Sequence, residues 1–279
     1  MDKKKGYLNE DFQLFHLKDK KSQSFEFHYH DFNKIIIFIS GKVTYLIEGK
    51  AYELKPWDIL LVNNHDVHKP IIDSKKTYER IIIWANSEFI EKHNYDNCNL
   101  ANCFEVAKEK SFNLVRLKNE FKDNIKFIIN SLEESIVSEE FGSKLLSNSL
   151  FMQLIVYLNR VHLAKSYLKD KDTFQYDKQI EKILKYINTN LNNDLSIENI
   201  AQRFFISKYY LMHKFKKETG YTVHNYVLQK RLLLSKDMIK DGETITKAYL
   251  QCGFKDYSSY FRAFKKLFGK SPRDFCNNI

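Results

Sequence analysis

The chain of 279 residues reads as an α+β multidomain protein. A β-barrel of jelly-roll type with a helical pair comes first, and an all-α domain with two helix-turn-helix units follows. Three observations lead to this reading. Short runs rich in β-branched and aromatic residues, divided by turn signals, fill the stretch from Tyr7 to Phe104. The apolar period then becomes helical. Finally, one helix, turn and helix pattern is written twice between Asp194 and Phe275.

The strand-like runs are Ile35 to Ser40, Val43 to Glu48, Ala51 to Leu54, Asp58 to Val62 and Tyr78 to Trp84, with bends at Gly41-Lys42, Gly49-Lys50 and Pro56-Trp57. Strands spaced this regularly suit a double-sheet barrel, here assigned to residues 1–110. Across 111–166 one stripe runs through Leu114, Leu117, Phe121, Ile125, Ile128, Ile129, Leu132 and Ile136. A second runs through Leu145, Leu146, Ser149, Met152, Ile155, Val156 and Leu163. Two antiparallel helices follow from that pattern; they either simply pack on the barrel or also pair two subunits, since a pair of helices has more than one face. Residues 167–177 lose period and gain charge, as a linker does. Ile180, Ile183, Leu184 and Ile187 then open the last domain, 178–279.

In that domain Ser196 caps a first short helix, with Glu198 favourably placed against the positive end of its dipole. Ser207 and Asp256 are positioned to cap the second helix of each copy, while Gly220 and Gly269 stop them. Leu211 with Phe215, and Tyr260 with Phe264, fall four apart on an inward stripe, which turns the lysines outward. A connecting helix, Val223 to Ile239, is apolar at Tyr226, Val227, Leu233, Leu234 and Met238 and ends at Asp241-Gly242. It spans about 25 Å at 1.5 Å per residue, a strut on which two reading helices enter successive major grooves about 34 Å apart.

Charge points the same way. From Asp177 onward 19 Lys+Arg face 10 Asp+Glu, while the preceding residues hold 26 against 25. The basicity therefore belongs to the duplicated helical domain, the footprint of a polyanion-binding module. Lys208, Lys216, Lys217, Lys265 and Lys266 suit phosphates, whose contribution to affinity falls with salt. Tyr209, Met212, His213, Tyr257, Ser258, Phe261 and Arg262 face base edges. Arg262 is the strongest candidate, because a guanidinium bonds O6 and N7 of one guanine together.

The C-terminal pattern, most plainly Gly253-Phe254-x-Asp256-x-Ser258-x-Tyr260-Phe261-Arg262-x-Phe264-Lys265-Lys266-x-Phe268-Gly269-x-Ser271-Pro272, resembles the paired helix-turn-helix domain of AraC-type (AraC/XylS) transcription regulators. Two positions depart from that pattern: Tyr249, where the family usually has a small residue, and Phe205, at a turn position often held by Gly. The N-terminal part resembles the cupin-like sensor domain of such regulators in His28-x-His30-Asp31-Phe32, in Gly41-x6-Glu48-Gly49-Lys50 and in Leu54-x-Pro56-x-Asp58-x4-Asn63-x4-His68. The resemblance implies promoter or operator DNA as partner, contact with RNA polymerase, a homodimer, and a small-molecule effector, for which sugars are a common cargo in the family.

His28, His30, Phe32, Tyr45, His68, Arg80 and Trp84 supply the rings and few polar groups of a small-molecule pocket; aromatic residues on strands serve equally as plain core. The histidines also suggest a metal. Where a metallo-cupin pattern wants Glu, however, this chain has Lys34, so no metal and no cofactor are expected. Cys98, Cys103, Cys252 and Cys276 form no C-x-x-C pair and read as ordinary thiols. No apolar run approaches the ~18 residues of a membrane span and no signal-peptide core follows Met1, which points to the cytoplasm. With 8 Gly and no nucleophile–base constellation, no enzyme activity is inferred. Two alternatives remain: a regulator without a small-molecule inducer, and a metallo-cupin enzyme fused to a DNA-binding domain.

Overall fold

The computed structural model describes residues 8, 10–19, 25, 27–110, 112–163 and 174–277. The chain divides into two compact units, residues 1–175 and 176–279. The first begins with β1 (Phe12–Asp19), β2 (Asn33–Ser40), β3 (Val43–Ile47), β4 (Lys50–Glu53), β5 (Asp58–Val62), β6 (His68–Ile72) and β7 (Tyr78–Ala85). There follow α1 (Ser87–Lys92), α2 (Asn102–Glu109), β8 (Leu114–Arg116), α3 (Asn119–Val137), α4 (Ser143–Leu163) and β9 (Phe174–Tyr176). One sheet has the order β1-β7-β2-β5-β8 and the other β6-β3-β4-β9.

The packing explains why β2 is apolar without alternation. Ile36 and Phe38 point into a core shared by both sheets, together with Tyr45, Ile47, Tyr52, Leu60, Val62 and Tyr78. Ile35 and Ile37 point the other way and pack with Ile125, Ile129, Phe151, Leu154 and Leu158 of the two long helices. A strand covered on both faces has no solvent side on which to place polar residues. Pro70 lies in β6, an edge strand, where a missing N–H leaves no ladder bond unmade.

Four differences from the sequence reading have physical causes. β1 and β6 are strands the sequence hides: β1 mixes charge into its period, and β6 carries Pro70. Leu114 does not open a helical stripe; it lies in β8, paired to Leu60 of β5, and the helix begins at Asn119. In α4 the predicted stripe is partly out of phase. Leu145, Leu146, Ser149 and Leu163 are exposed, Ile155 is buried and Met152 and Val156 half-buried as expected, and the rest of the buried face is Ser147, Phe151, Leu154, Leu158 and Val161. Finally, Phe174–Tyr176, assigned to the linker, form a strand beside β4; the rest of the assigned linker, 167–173, lies outside the described residues.

Asp58 and Arg116 make the main polar tie of the first unit. Arg116 donates from Nε to Oδ1 at 2.8 Å and from Nη2 to Oδ2 at 2.6 Å, with both side chains buried. The pair fastens β5 to the short β8.

The second unit is helical: α5 (Lys178–Thr189), α6 (Ile197–Arg203), α7 (Lys208–Thr219), α8 (Val223–Lys240), α9 (Ile245–Gln251), α10 (Tyr257–Phe268) and α11 (Pro272–Cys276). Ile180, Ile183, Leu184 and Ile187 of α5 are buried. α8 packs on α7, α9 and α10, so one rod supports both halves. Its buried leucines are Leu232 and Leu233; Leu234, predicted to be inward, is partly exposed. Tyr249, at the place the family usually gives a small residue, stacks on Tyr260 and contacts Tyr257, so its ring becomes core for α10.

Candidate functional site

Two sets of residues could carry function, one in each unit. In the second unit Ser207 accepts from the Tyr210 N–H at 3.1 Å to start α7, and Asp256 accepts from the Ser259 N–H at 2.8 Å to start α10. Gly220 and Gly269 end these helices at φ 78° and 76°, in the left-handed region that favours glycine. Both reading helices therefore have the same punctuation and length, and each anchors through two buried side chains, Leu211 with Phe215 and Tyr260 with Phe264.

The opposite faces are open. Tyr209, Met212, His213, Lys216 and Lys217 are exposed on α7, and Tyr257, Ser258, Arg262, Lys265 and Lys266 on α10; Phe261 is half-buried beside Tyr257. His213 packs on Tyr209 and places Nδ1 3.1 Å from the Tyr209 carbonyl. A carbonyl only accepts, so Nδ1 carries a proton and Nε2 is the ring nitrogen left for a base edge. Arg262 uses Nε on the Ser258 carbonyl at 3.3 Å, leaving its terminal nitrogens for a two-pronged contact. Lys208 is held by Glu198 at 2.7 Å. As an exposed pair it is screened by solvent and weak, so a phosphate can displace it.

The turn of the first copy contains a strained residue. Phe205 adopts φ 55° and is 95% exposed. A left-handed conformation costs a side-chain-bearing residue roughly 1–2 kcal/mol, partly offset for Gly by unfolded-state entropy. Phe205→Gly is accordingly expected to stabilise the unit by roughly 0.5–1 kcal/mol in urea unfolding, with base preference unchanged.

The other set lies in the first unit. Residues 28–30 meet the start of β6: His28 and His68 exchange backbone hydrogen bonds at 3.1 and 2.9 Å, and the His65 N–H donates to the His30 carbonyl at 2.8 Å. The three rings His28, His30 and His68 are thereby brought to centroid separations of 4.5 to 5.3 Å. Phe32 stacks on His30 and packs on Trp84, and Tyr45 stacks on His68. Arg80 bonds Asp19 and the Tyr78 carbonyl. All seven residues proposed from sequence as pocket lining lie in this unit, and the rings of six of them form one contact network.

Lys34 sets the electrostatics. It is buried, and among the described residues it has neither an ion-pair partner nor a hydrogen bond. Burial first, and then Arg80, pushes its ammonium down to about 8. Burial and then Lys34 hold His68 well below the usual imidazole range and push His30 down to about 2, so both rings are neutral near pH 7. Nδ1 of His68 donates to the Asp66 carbonyl at 2.8 Å, which leaves Nε2 a bare lone pair. That atom and both ring nitrogens of His30 are buried without a partner.

The ligating atoms of His28, His30 and His68 lie within 4.8 Å of one another, which raises the question of a metal. Three imidazoles are a set that zinc accepts, but no carboxylate accompanies them and Lys34 brings a cation to the site, which opposes a divalent ion.

Comparison with known proteins supplies the family. Residues 14–92 match the AraC-like ligand binding domain family and residues 200–278 a helix-turn-helix domain family. The chain is 23% identical over 270 residues to the HTH-type transcriptional activator RhaS of Escherichia fergusonii, covering 90% of this chain and 87% of that protein. It is 25% identical over 258 residues to RhaS of Yersinia pestis, covering 92% and 90%. Among solved structures, fatty-acid-bound ToxT of Vibrio cholerae is 15% identical with a TM-score of 0.40, covering 96% of this chain and 95% of that one. With a ligand-binding domain of AraC type ahead of paired helix-turn-helix units, the chain belongs to the AraC-type transcription regulators.

Proposed function

We propose that α7 and α10 read two stretches of promoter DNA, and that a small molecule in the N-terminal barrel alters that binding or the resulting transcription. The single observation that carries this is the duplicated presentation: two helices with the same caps, stops and buried anchors, both resting on α8, each with an exposed basic and aromatic face. α8 has 18 residues, about 27 Å at 1.5 Å per residue. In this reading the exposed lysines of both helices set affinity and its salt dependence, while Arg262 and His213 set sequence preference.

The rest of the reading concerns partners. The chain works as a homodimer, supported by the exposed Phe127, Val137, Phe141, Leu145 and Leu146 of α3, α4 and their connection. It acts in the cytoplasm and contacts RNA polymerase, as an activator like the RhaS relatives. No catalytic role is assigned to it. Coupling requires that the effector favour one arrangement of the regulator over another.

Arg262→Ala tests the DNA half. Selection of duplexes from random DNA by the variant should show flattened preference at one or two base pairs, each worth about 1–3 kcal/mol, with the remaining positions and the salt dependence nearly unchanged. An identical selected motif would show that Arg262 serves phosphate or the fold instead. Addition of a metabolite pool to the wild-type assay tests the sensor half: affinity or transcription shifts, or else the barrel is no sensor.

A further inference from the structure

We propose that the histidine-lined end of the N-terminal barrel takes a small hydroxylated carboxylate, its anionic group on Lys34 and a hydroxyl on the imidazoles of His30 and His68. This rests on the reading of the barrel as a small-molecule site and names its ligand class.

Four observations meet here. Lys34 on β2 is 6% exposed and unpaired among the described residues, although a buried ammonium is costly without an anion nearby. Arg80, the next cation on this side of the barrel, is already engaged by Asp19. The anion that completes Lys34 must therefore come from outside the described residues. His68 adds a second requirement. Its Nδ1 proton is committed to the Asp66 carbonyl, so Nε2 can only accept, and a carboxylate alone would set lone pair against lone pair. A hydroxyl next to the carboxylate supplies the missing donor. Neutral His30 has both nitrogens unpartnered, one donor and one acceptor in either tautomer, so it serves the two groups at once. Trp84 and Phe32 flank His30 with ring faces against which a carbon skeleton packs. A metal ion satisfies the imidazoles but worsens the position of Lys34; a neutral polyol satisfies the imidazoles and leaves Lys34 unpaired. A hydroxy acid satisfies both.

The test uses the full chain and matched probes in calorimetric titration: lactate, glycerate, gluconate and glucuronate, each beside its neutral counterpart, propane-1,2-diol, glycerol, glucitol and glucose. At least one acid is expected to bind at least tenfold more tightly than its counterpart. Lys34→Met should abolish that margin while keeping the wild-type circular dichroism spectrum and an equal or higher melting temperature. Failure of all four acids to bind, equal binding by the neutral partners, or an undiminished margin in Lys34→Met would each overturn the proposal. So would one equivalent of Zn2+ retained through dialysis by the wild type and lost in His68→Ala. The wider sensor reading fails separately: an acid that binds but never alters DNA affinity or transcription removes the coupling and leaves the site, whereas a neutral sugar that alters DNA affinity keeps the sensor and removes this ligand class.

Discussion

Gly253→Ala is expected to destabilise the helical unit by about 2–5 kcal/mol, combining a left-handed backbone with overpacking. Gly253 has φ +83°, and a Cβ there would stand 2.6 Å from the Leu191 carbonyl oxygen and 2.9 Å from Nη2 of Arg231. Neither neighbour is free to move. Arg231 donates to the Leu191 carbonyl at 2.8 Å and to the Asn193 carbonyl at 2.6 Å, tying α8 to the loop ahead of α6. An added methyl therefore strains the turn of the second reading unit and pushes on the knot that joins it to the first. Urea unfolding measures the loss, and DNA affinity should fall with it. Gly242→Ala serves as the control. It shares a positive φ, +89°, but has nothing within 4 Å of the added carbon, so only the conformational cost of about 1 kcal/mol remains. Equal effects at the two positions would show that the contacts around Gly253 do not matter.

Asp58→Ala should cost the N-terminal unit about 3–5 kcal/mol, because it strands the Arg116 guanidinium in a buried site. Arg116 is bonded through two nitrogens to a carboxylate that is itself buried, and Asp58 also accepts from the Lys55 N–H at 2.8 Å. Removing both charges together, as Asp58→Leu with Arg116→Met, should cost much less, since no uncompensated charge is left behind. The unfolding transition of full-length protein followed by tryptophan fluorescence reports this directly, as Trp57 and Trp84 both lie in that unit. A loss below about 1 kcal/mol for the single change would mean that the pair is solvated rather than buried.

Which elements are legible in the sequence follows a physical division. The helical unit was legible because its signals are local: Ser207, Asp256, Gly220 and Gly269 act within one turn of where they stand, and a duplicated pattern checks itself. The barrel strands at Val43, Asp58 and Tyr78 were legible for the same reason, each bounded by a bend. β8 was not, since Leu114 to Arg116 is held by pairing with β5 and by Asp58, which is far away in the chain. The face of α4 was partly misassigned because apolar residues encircle that helix, so period alone could not choose between the side carrying Leu145 and the side carrying Phe151. In the candidate effector site the residue types were readable, including the cation at position 34. Their convergence, with unpartnered nitrogens on His30 and His68, depends on the bridge between residues 28–30 and β6, which no local signal announces. The Arg231 and Gly253 contact was likewise hidden, although Gly253 stands at the head of the family motif.

The central claim is that α7 and α10, carried on α8, grip one face of a duplex at two neighbouring places. Hydroxyl-radical footprinting of the purified chain on a duplex selected from random DNA tests it most directly. The predicted pattern is two protected patches on the same face, their centres about one helical turn or 34 Å apart, with Arg262→Ala weakening one patch and His213→Ala the other. A single patch, or two that weaken together under either substitution, would contradict the account.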